Sequence, residues 1–242
     1  MSALPLVLLH GWGAHAGVWS EVIARLDLGH TVIAPDDPAE SAADISINEV
    51  IDRLAGMVPE QCVVAGWSLG GQLALQWARR YPRRVRKLIL VSTTPRFLTA
   101  PDWSHGMDAE DFSQFAGLVA TDSAQALRRF LLLQTRGDAQ ARKVARQLEA
   151  ALGTRPNPEA PLLMRTLDWL RDTDLRTVLH DIAQPALVVH GDCDRITPFA
   201  AGEYLAAQLA GARLERMSGA AHVPFVSDPA AFSRLIAEFC NE

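Results

Sequence analysis

The sequence predicts an α/β architecture: a mostly parallel sheet flanked by helices, interrupted by a helical insertion. Three observations carry this. Short, continuously apolar runs recur along the chain, each followed by turn residues and then by a longer stretch with apolar residues at helical spacing. The runs are apolar throughout rather than alternating, as strands covered on both faces are. Between residues 92 and 186 the rhythm lapses into helical patterns without a convincing strand.

In chain order, residues 6–9 form the first strand, 18–26 a helix, 31–34 a strand and 47–57 a helix. Residues 62–65 form the next strand and run into a helix over 69–81, with a further strand at 88–92. A segment as long as the one that follows is improbable without structure in a compact domain. Helices are therefore expected over 123–135 and 139–152, then a stretch punctuated by Pro156, Pro158 and Pro161, then a last helix over 168–179. The alternation resumes with strands at 186–190 and 213–217 and helices at 199–209 and 229–239. The expected division is a core at 1–94, a helical cap at 95–182 and the rest of the core at 183–242. No internal repeat or low-complexity tract interrupts it.

Composition narrows the function classes. With 242 residues, 49% hydrophobic and 21% charged, the chain can bury a full core. Its three cysteines, Cys62, Cys193 and Cys240, are odd in number and widely spaced, which suggests neither a disulfide framework nor a zinc site. A net charge of −5 without a basic run gives no support for nucleic-acid binding. The first residues carry neither a basic region nor an apolar stretch of spanning length, so no membrane association is expected, and the expected location is the cytoplasm.

The strongest local signal is Gly66-Trp67-Ser68-Leu69-Gly70-Gly71, between an apolar run and a helical pattern. It has the form of a nucleophile elbow. A serine on a sharp strand-to-helix turn needs small neighbours because backbones pass closely there, and the helix N-terminus offers free N–H groups where an oxyanion would form. The alternative is a glycine-rich turn with an idle serine.

A serine nucleophile needs a base, and the base an orienting carboxylate. Of seven histidines, His222 is the candidate base: it follows the last strand in a loop of small residues and can reach back over the sheet edge. His10 lies in His10-Gly11-Trp12-Gly13, where the Trp12 N–H can serve as an oxyanion donor and the ring itself is structural. His15, His30, His105 and His180 read as solvated, and His190 as a packed core residue. Two acids follow the strand ending at His190. Asp194 is preferred, while Asp192 can cap the turn or pair with Arg195 and stays as the alternative. Cys193 beside them reads as a buried spectator.

The order Ser68, Asp194, His222 is that of α/β-hydrolases. The chain resembles that superfamily over nearly its whole length and, within it, the pimeloyl-[acyl-carrier protein] methyl ester carboxylesterases of biotin synthesis. The residues that carry the resemblance are Leu6-Val7-Leu8-Leu9-His10-Gly11-Trp12-Gly13, the elbow, Phe130-Leu131-Leu132-Leu133-Gln134-Thr135 and Ala220-Ala221-His222-Val223-Pro224-Phe225. The resemblance implies an α/β-hydrolase fold and substrate contacts from Trp12, Leu69, Phe130, Leu131, Leu132, Leu133, Gln134 and His222. It differs in two places: short leading strands are missing or reduced, and residues 37–41 stand where many such hydrolases carry a glycine-rich loop.

On 123–135, Leu127, Phe130, Leu131 and Gln134 share a helical face, while Arg128 and Arg129 point elsewhere. That face is either a core-packing stripe or an apolar wall over Ser68 suited to a medium-length acyl chain, and the resemblance favours the wall. The same region concentrates basic residues, and Arg142 and Arg146, four apart, occupy one face. Arg129, Arg142 and Arg146 are expected to bind an acidic acyl carrier protein bearing a methyl-ester acyl chain.

The expected reaction is hydrolysis of that methyl ester by Ser68, His222 and Asp194, with the Trp12 and Leu69 N–H groups holding the oxyanion. No metal or organic cofactor is expected, small esters are expected to be accepted, and the chain is expected to be a monomer. A general short-chain carboxylesterase or thioesterase, and from another class a non-catalytic hydrolase-fold binding protein, are the alternatives.

Overall fold

The computed structural model describes residues 4–26, 31–36 and 45–242. Residues 37–41 and His30, on which two of the expectations fall, lie outside them. Among the described residues six strands pair in parallel: β1 (Leu6–Leu9), β2 (Val32–Ile33), β3 (Cys62–Trp67), β4 (Val85–Val91), β5 (Ala186–Gly191) and β6 (Arg213–Met217), in the order β2-β1-β3-β4-β5-β6. The chain steps from β1 outward to β2, then crosses back over β1 to β3 and continues the other way. β1 and β3 therefore flank the point where the winding reverses, and a crevice opens beyond their C-terminal ends. Trp12 follows β1 and Ser68 follows β3, so the topology alone brings both to that crevice.

The helices are α1 (Ser20–Arg25), α2 (Ile47–Met57), α3 (Leu69–Arg80), α4 (Ala109–Thr121), α5 (Ser123–Thr135), α6 (Ala141–Leu152), α7 (Ala160–Asp172), α8 (Phe199–Gln208), α9 (Pro224–Ser227) and α10 (Pro229–Asn241). Successive strand residues feed opposite faces of the sheet. Val7, Leu9, Val64 and Leu90 pack with α2, α3 and α8, whereas Leu6, Leu8, Val63 and Ile89 pack with α1 and α10 through Val22, Phe232 and Ile236, and with Trp19 just before α1. Both sets are buried, which is why 6–9, 62–65 and 88–91 are apolar throughout, whereas the edge strand β6, Arg213-Leu214-Glu215-Arg216-Met217, is polar and partly exposed, against the expectation for its run. A third cluster joins Trp12 and Leu69, at the C-terminal edge of the sheet, to Phe112, Phe130, Leu163 and Leu167 of α4, α5 and α7.

The structure corrects the expected elements in two places. α4 replaces what read as an undefined stretch; it is capped by Asp108, whose carboxylate accepts the Glu110 and Asp111 N–H groups at 2.8 and 3.4 Å. The last helix of the insertion is α7 over 160–172 and not 168–179. Pro161 sits in its first turn, where a missing N–H costs nothing, and so starts the helix. The helix stops at Thr173 because Asp174 turns to Arg96 at 2.8 Å and to Arg176 at 2.8 Å, and a 3-10 turn follows over 176–181.

Candidate active site

Ser68 lies between β3 and α3 with φ 55° and ψ −118°, a left-handed conformation that costs a non-glycine residue about 1–3 kcal/mol and persists only where its surroundings fix it. They do so here. The Ser68 N–H donates to Val91 O at 3.0 Å, and its carbonyl accepts from Gly71 N at 2.9 Å and from the Thr93 hydroxyl at 2.6 Å. The flanking glycines are sterically required: a Cβ on Gly66 would lie 2.1 Å from Gly70 O, and one on Gly70 would lie 2.5 Å from Leu9 O. The backbone N–H groups of Trp12 and Leu69 have no hydrogen-bond acceptor among the described residues, as an oxyanion site requires.

His222 meets this elbow from the loop between β6 and α9. It is fully buried, and its Nδ1 lies 2.8 Å from Asp194 Oδ2. Its backbone is held from both sides: the N–H donates to Gln134 O at 3.1 Å, and the carbonyl accepts from Trp67 Nε1 at 2.9 Å. His222 Nε2 and Ser68 Oγ make no hydrogen bond among the described residues, so the nitrogen available to a nucleophile is unoccupied.

Asp194 is buried and surrounded by donors. Its Oδ1 accepts from the Ile196 and Thr197 N–H groups at 2.9 and 3.0 Å, and the Thr197 hydroxyl lies 2.9 Å from Oδ2. Burial alone would raise its pKa, but the facing His222 and His190 outweigh that and hold the carboxyl well below the usual carboxylate range. Asp192, the alternative acid, is exposed and accepts the Gly219 N–H at 2.7 Å, so it fixes a turn and does not meet His222.

A cavity of about 440 Å³ opens over Trp12 and is walled by Phe97, Phe115, Phe130, Leu133 and Leu167, with Arg129, Arg136 and Arg195 among its lining residues. The Trp12 ring meets Phe115 and Phe130 edge-on at 5.4 and 5.0 Å, and its Nε1 donates to Leu163 O at 2.9 Å, tying the β1 loop to α4, α5 and α7. A second cavity, of about 160 Å³, lies across Trp12 and is lined by Leu127, Phe130, Leu131 and Gln134. The structure therefore brings Trp12, Phe130, Leu131, Leu133 and Gln134 to two cavities that meet at Trp12; Leu69 lines a separate small cavity with Trp12, and neither Ser68 nor His222, both buried, lines the first two. Leu132 is not among them: it is 64% exposed on the outer face of α5. Arg142 and Arg146 are exposed together on α6, and Arg129 is exposed at the first cavity.

Two smaller expectations change. His15 is not solvated; it caps the turn at 16–19, accepting the Gly17 N–H at 3.0 Å, and its Nε2 lies 3.0 Å from Leu152 O at the end of α6. Cys193 is half-exposed rather than buried; partial desolvation and the neighbouring Asp192 raise its pKa, so it remains a poor nucleophile. Burial pushes the Cys62 and Cys240 thiols up to about 11. The sequence reading also missed Thr197, which braces Asp194, and Asp138, a buried carboxylate on the α5–α6 connection that contacts the His222 loop. Thr197 lies in the same turn as the acid and could have been weighed with it.

A parallel sheet with a serine elbow after its third strand defines an α/β hydrolase, and the family model described as "alpha/beta hydrolase fold" matches residues 5–229. Within that fold the chain belongs to the family of the pimeloyl-[acyl-carrier protein] methyl ester esterases. The relative of that name from Aromatoleum aromaticum is 39% identical, covering 98% of each chain, and that from Nitrosospira multiformis is 36% identical over 98% of this chain and 94% of its own. Among solved structures, an esterase from Exiguobacterium antarcticum superposes with a TM-score of 0.85 at 24% identity, covering 100% of this chain and 93% of that one. An enol-lactonase from Burkholderia xenovorans gives 0.83 at 21% identity, covering 100% and 93%. These two likenesses extend to the fold.

Proposed function

We propose that the protein hydrolyses the methyl ester of pimeloyl-[acyl-carrier protein], releasing methanol and the free carboxylate, with Ser68 as nucleophile, His222 as base and Asp194 as its orienting acid. The observation that carries the chemistry is the 2.8 Å contact between His222 Nδ1 and Asp194 Oδ2, with Nε2 left unpartnered beside a strained serine elbow. The substrate assignment rests on the 36–39% identity to relatives of that name.

In this mechanism Asp194 accepts the Nδ1–H of His222 and so keeps Nε2 bare to take the Ser68 proton. Ser68 Oγ attacks the ester carbonyl while the Trp12 and Leu69 N–H groups receive the developing oxyanion. The imidazolium then gives its proton to the leaving methoxide, and methanol departs. Water, deprotonated in turn by His222, releases the acid and restores Ser68. The first cavity, with Phe130, Leu133 and Trp12 as its apolar wall, takes the acyl chain. The 95–182 segment acts as the cap over the site, and Arg129, Arg142 and Arg146 steer the acidic carrier. A cytoplasmic location belongs to the same proposal and fits the three free cysteines.

The test is methanol release from the methyl ester of pimeloyl-carrier protein by the wild-type chain and by Ser68→Ala. Stoichiometric methanol from the first and none from the second is expected; equal release by both would overturn the nucleophile assignment.

A further inference from the structure

We propose that Asp138 is a positioning residue for the base, holding the loop that carries His222 from the α5–α6 connection; this rests on the reading of His222 as that base. Asp138 is only 8% exposed, and no ion pair to Lys or Arg is formed by it among the described residues. Its two oxygens do different things. Oδ1 accepts the Gln140 N–H at 2.7 Å, an Asx turn that leads into α6. Oδ2 reaches a part of the chain more than eighty residues away, accepting the Ala221 N–H at 3.1 Å and the Ser227 hydroxyl. Ala221 immediately precedes His222, and Ser227 ends α9 just beyond it. One oxygen thus holds the loop on both sides of the imidazole.

Two neighbouring bonds extend this clasp. The His222 N–H donates to Gln134 O at 3.1 Å, and the Ala139 N–H donates to Gly219 O at 2.8 Å. The segment 134–139 therefore binds backbone groups of Gly219, Ala221 and His222 along one line. α6, which follows, packs Val144 and Leu148 into the same core cluster as Phe225 of α9. This half of the insertion is fixed to the loop of the base rather than hinged over it.

The turn alone would not need this carboxylate, because a serine hydroxyl makes an equivalent turn. Removing Oδ2 leaves the buried Ala221 N–H without an acceptor, whereas the Ser227 hydroxyl can turn to Val223 O, 3.2 Å away. The loop then moves to satisfy Ala221. Since Asp194 is fixed by the Ile196 and Thr197 N–H groups, that movement falls on the His222–Asp194 contact and on the approach of Nε2 to Ser68. Misplacement on the ångström scale costs about 10²-fold in rate. Asp138 does not line either cavity beside Trp12, so ground-state binding is spared.

The experiment compares Asp138→Ser, which keeps the turn and loses the reach, with Asp138→Asn, whose amide oxygen goes where two donors face it and takes the Ala221 N–H and the Ser227 hydroxyl, while its NH2 gives up the Gln140 turn bond. Both are assayed on a soluble short-chain p-nitrophenyl ester, after circular dichroism has established that each is folded at the assay temperature. Asp138→Ser is expected to lower kcat about 10- to 100-fold with KM within about threefold of wild type. It should also broaden or abolish the low-field proton resonance of the His222 Nδ1–H. Asp138→Asn is expected to keep that resonance and a kcat within about threefold of wild type. Wild-type kcat in Asp138→Ser, a loss confined to KM, or equal loss in both variants would overturn the proposal. Activity surviving in His222→Ala would instead remove the base assignment beneath it, so the two failures are distinguishable.

Discussion

Replacing Asp194 by asparagine changes one atom, and the structure dictates which way round the amide must sit. Oδ1 of Asp194 faces two backbone donors, Ile196 N at 2.9 Å and Thr197 N at 3.0 Å, so the amide oxygen must take that place. The amide nitrogen then falls where Oδ2 stood, 2.8 Å from His222 Nδ1 and 2.9 Å from the Thr197 hydroxyl. A donor now faces Nδ1, so the imidazole must accept there and carry its proton on Nε2. In that tautomer it cannot take the Ser68 proton. The expected loss is about 10⁴-fold in kcat, the size seen where a triad acid is made an amide. This corresponds to about 5.4 kcal/mol of barrier. KM should barely move, because Asp194 lines neither cavity beside Trp12. Steady-state hydrolysis of a p-nitrophenyl ester, with thermal unfolding measured alongside, checks this. A kcat within tenfold of wild type in a folded Asp194→Asn would refute the tautomer argument. A mild Asp194→Asn together with a severe Asp192→Asn would return the role to Asp192.

Other expectations follow from particular contacts. Gly70→Ala should lower the thermal midpoint by about 4–8 °C and depress activity, since its Cβ would meet the Leu9 and His10 carbonyl oxygens at 2.5 and 2.6 Å and force α3 away from β1. Hydrogen bonds from Arg176, followed by Arg96, hold Asp174 at about 2. Its contribution to stability is therefore complete above its unfolded pKa of about 3.9 and is lost as pH falls towards 2. Urea midpoints measured between pH 5 and pH 2.5 should accordingly fall less in Asp174→Asn than in wild type. Reversing Arg142 and Arg146 to glutamate should reduce the ratio of kcat/KM for carrier-bound ester to that for free ester about tenfold or more at low salt, and less at high salt; an unchanged ratio removes these residues from carrier recognition.

The sheet was legible because a strand buried on both faces has to be apolar at every position, and no polar residue interrupts 6–9, 62–65 or 88–91. The elbow was legible because steric crowding leaves only glycine at 66 and 70. Helix limits in the insertion were less so. Pro161 reads as a breaker in sequence and acts as a starter in the fold, and the end of α7 is set by Arg96, far away in the chain. Leu132 illustrates a second limit: a motif marks a helix, but only packing decides which of its residues face a cavity, and this one faces solvent. His15 and Asp138 are the same case among polar residues. Asp138 carries a local signal, an acid before a helix, and that signal accounts for Oδ1 alone; the partners of Oδ2 are set by tertiary contact.

Removal of a methyl group from a carrier-bound acyl chain is read by intact mass measurement of acyl carrier protein loaded with pimeloyl methyl ester, before and after incubation with the protein. The expected product is lighter by one methylene unit with the thioester intact. Loss of the whole acyl group, or no change in mass, would contradict it.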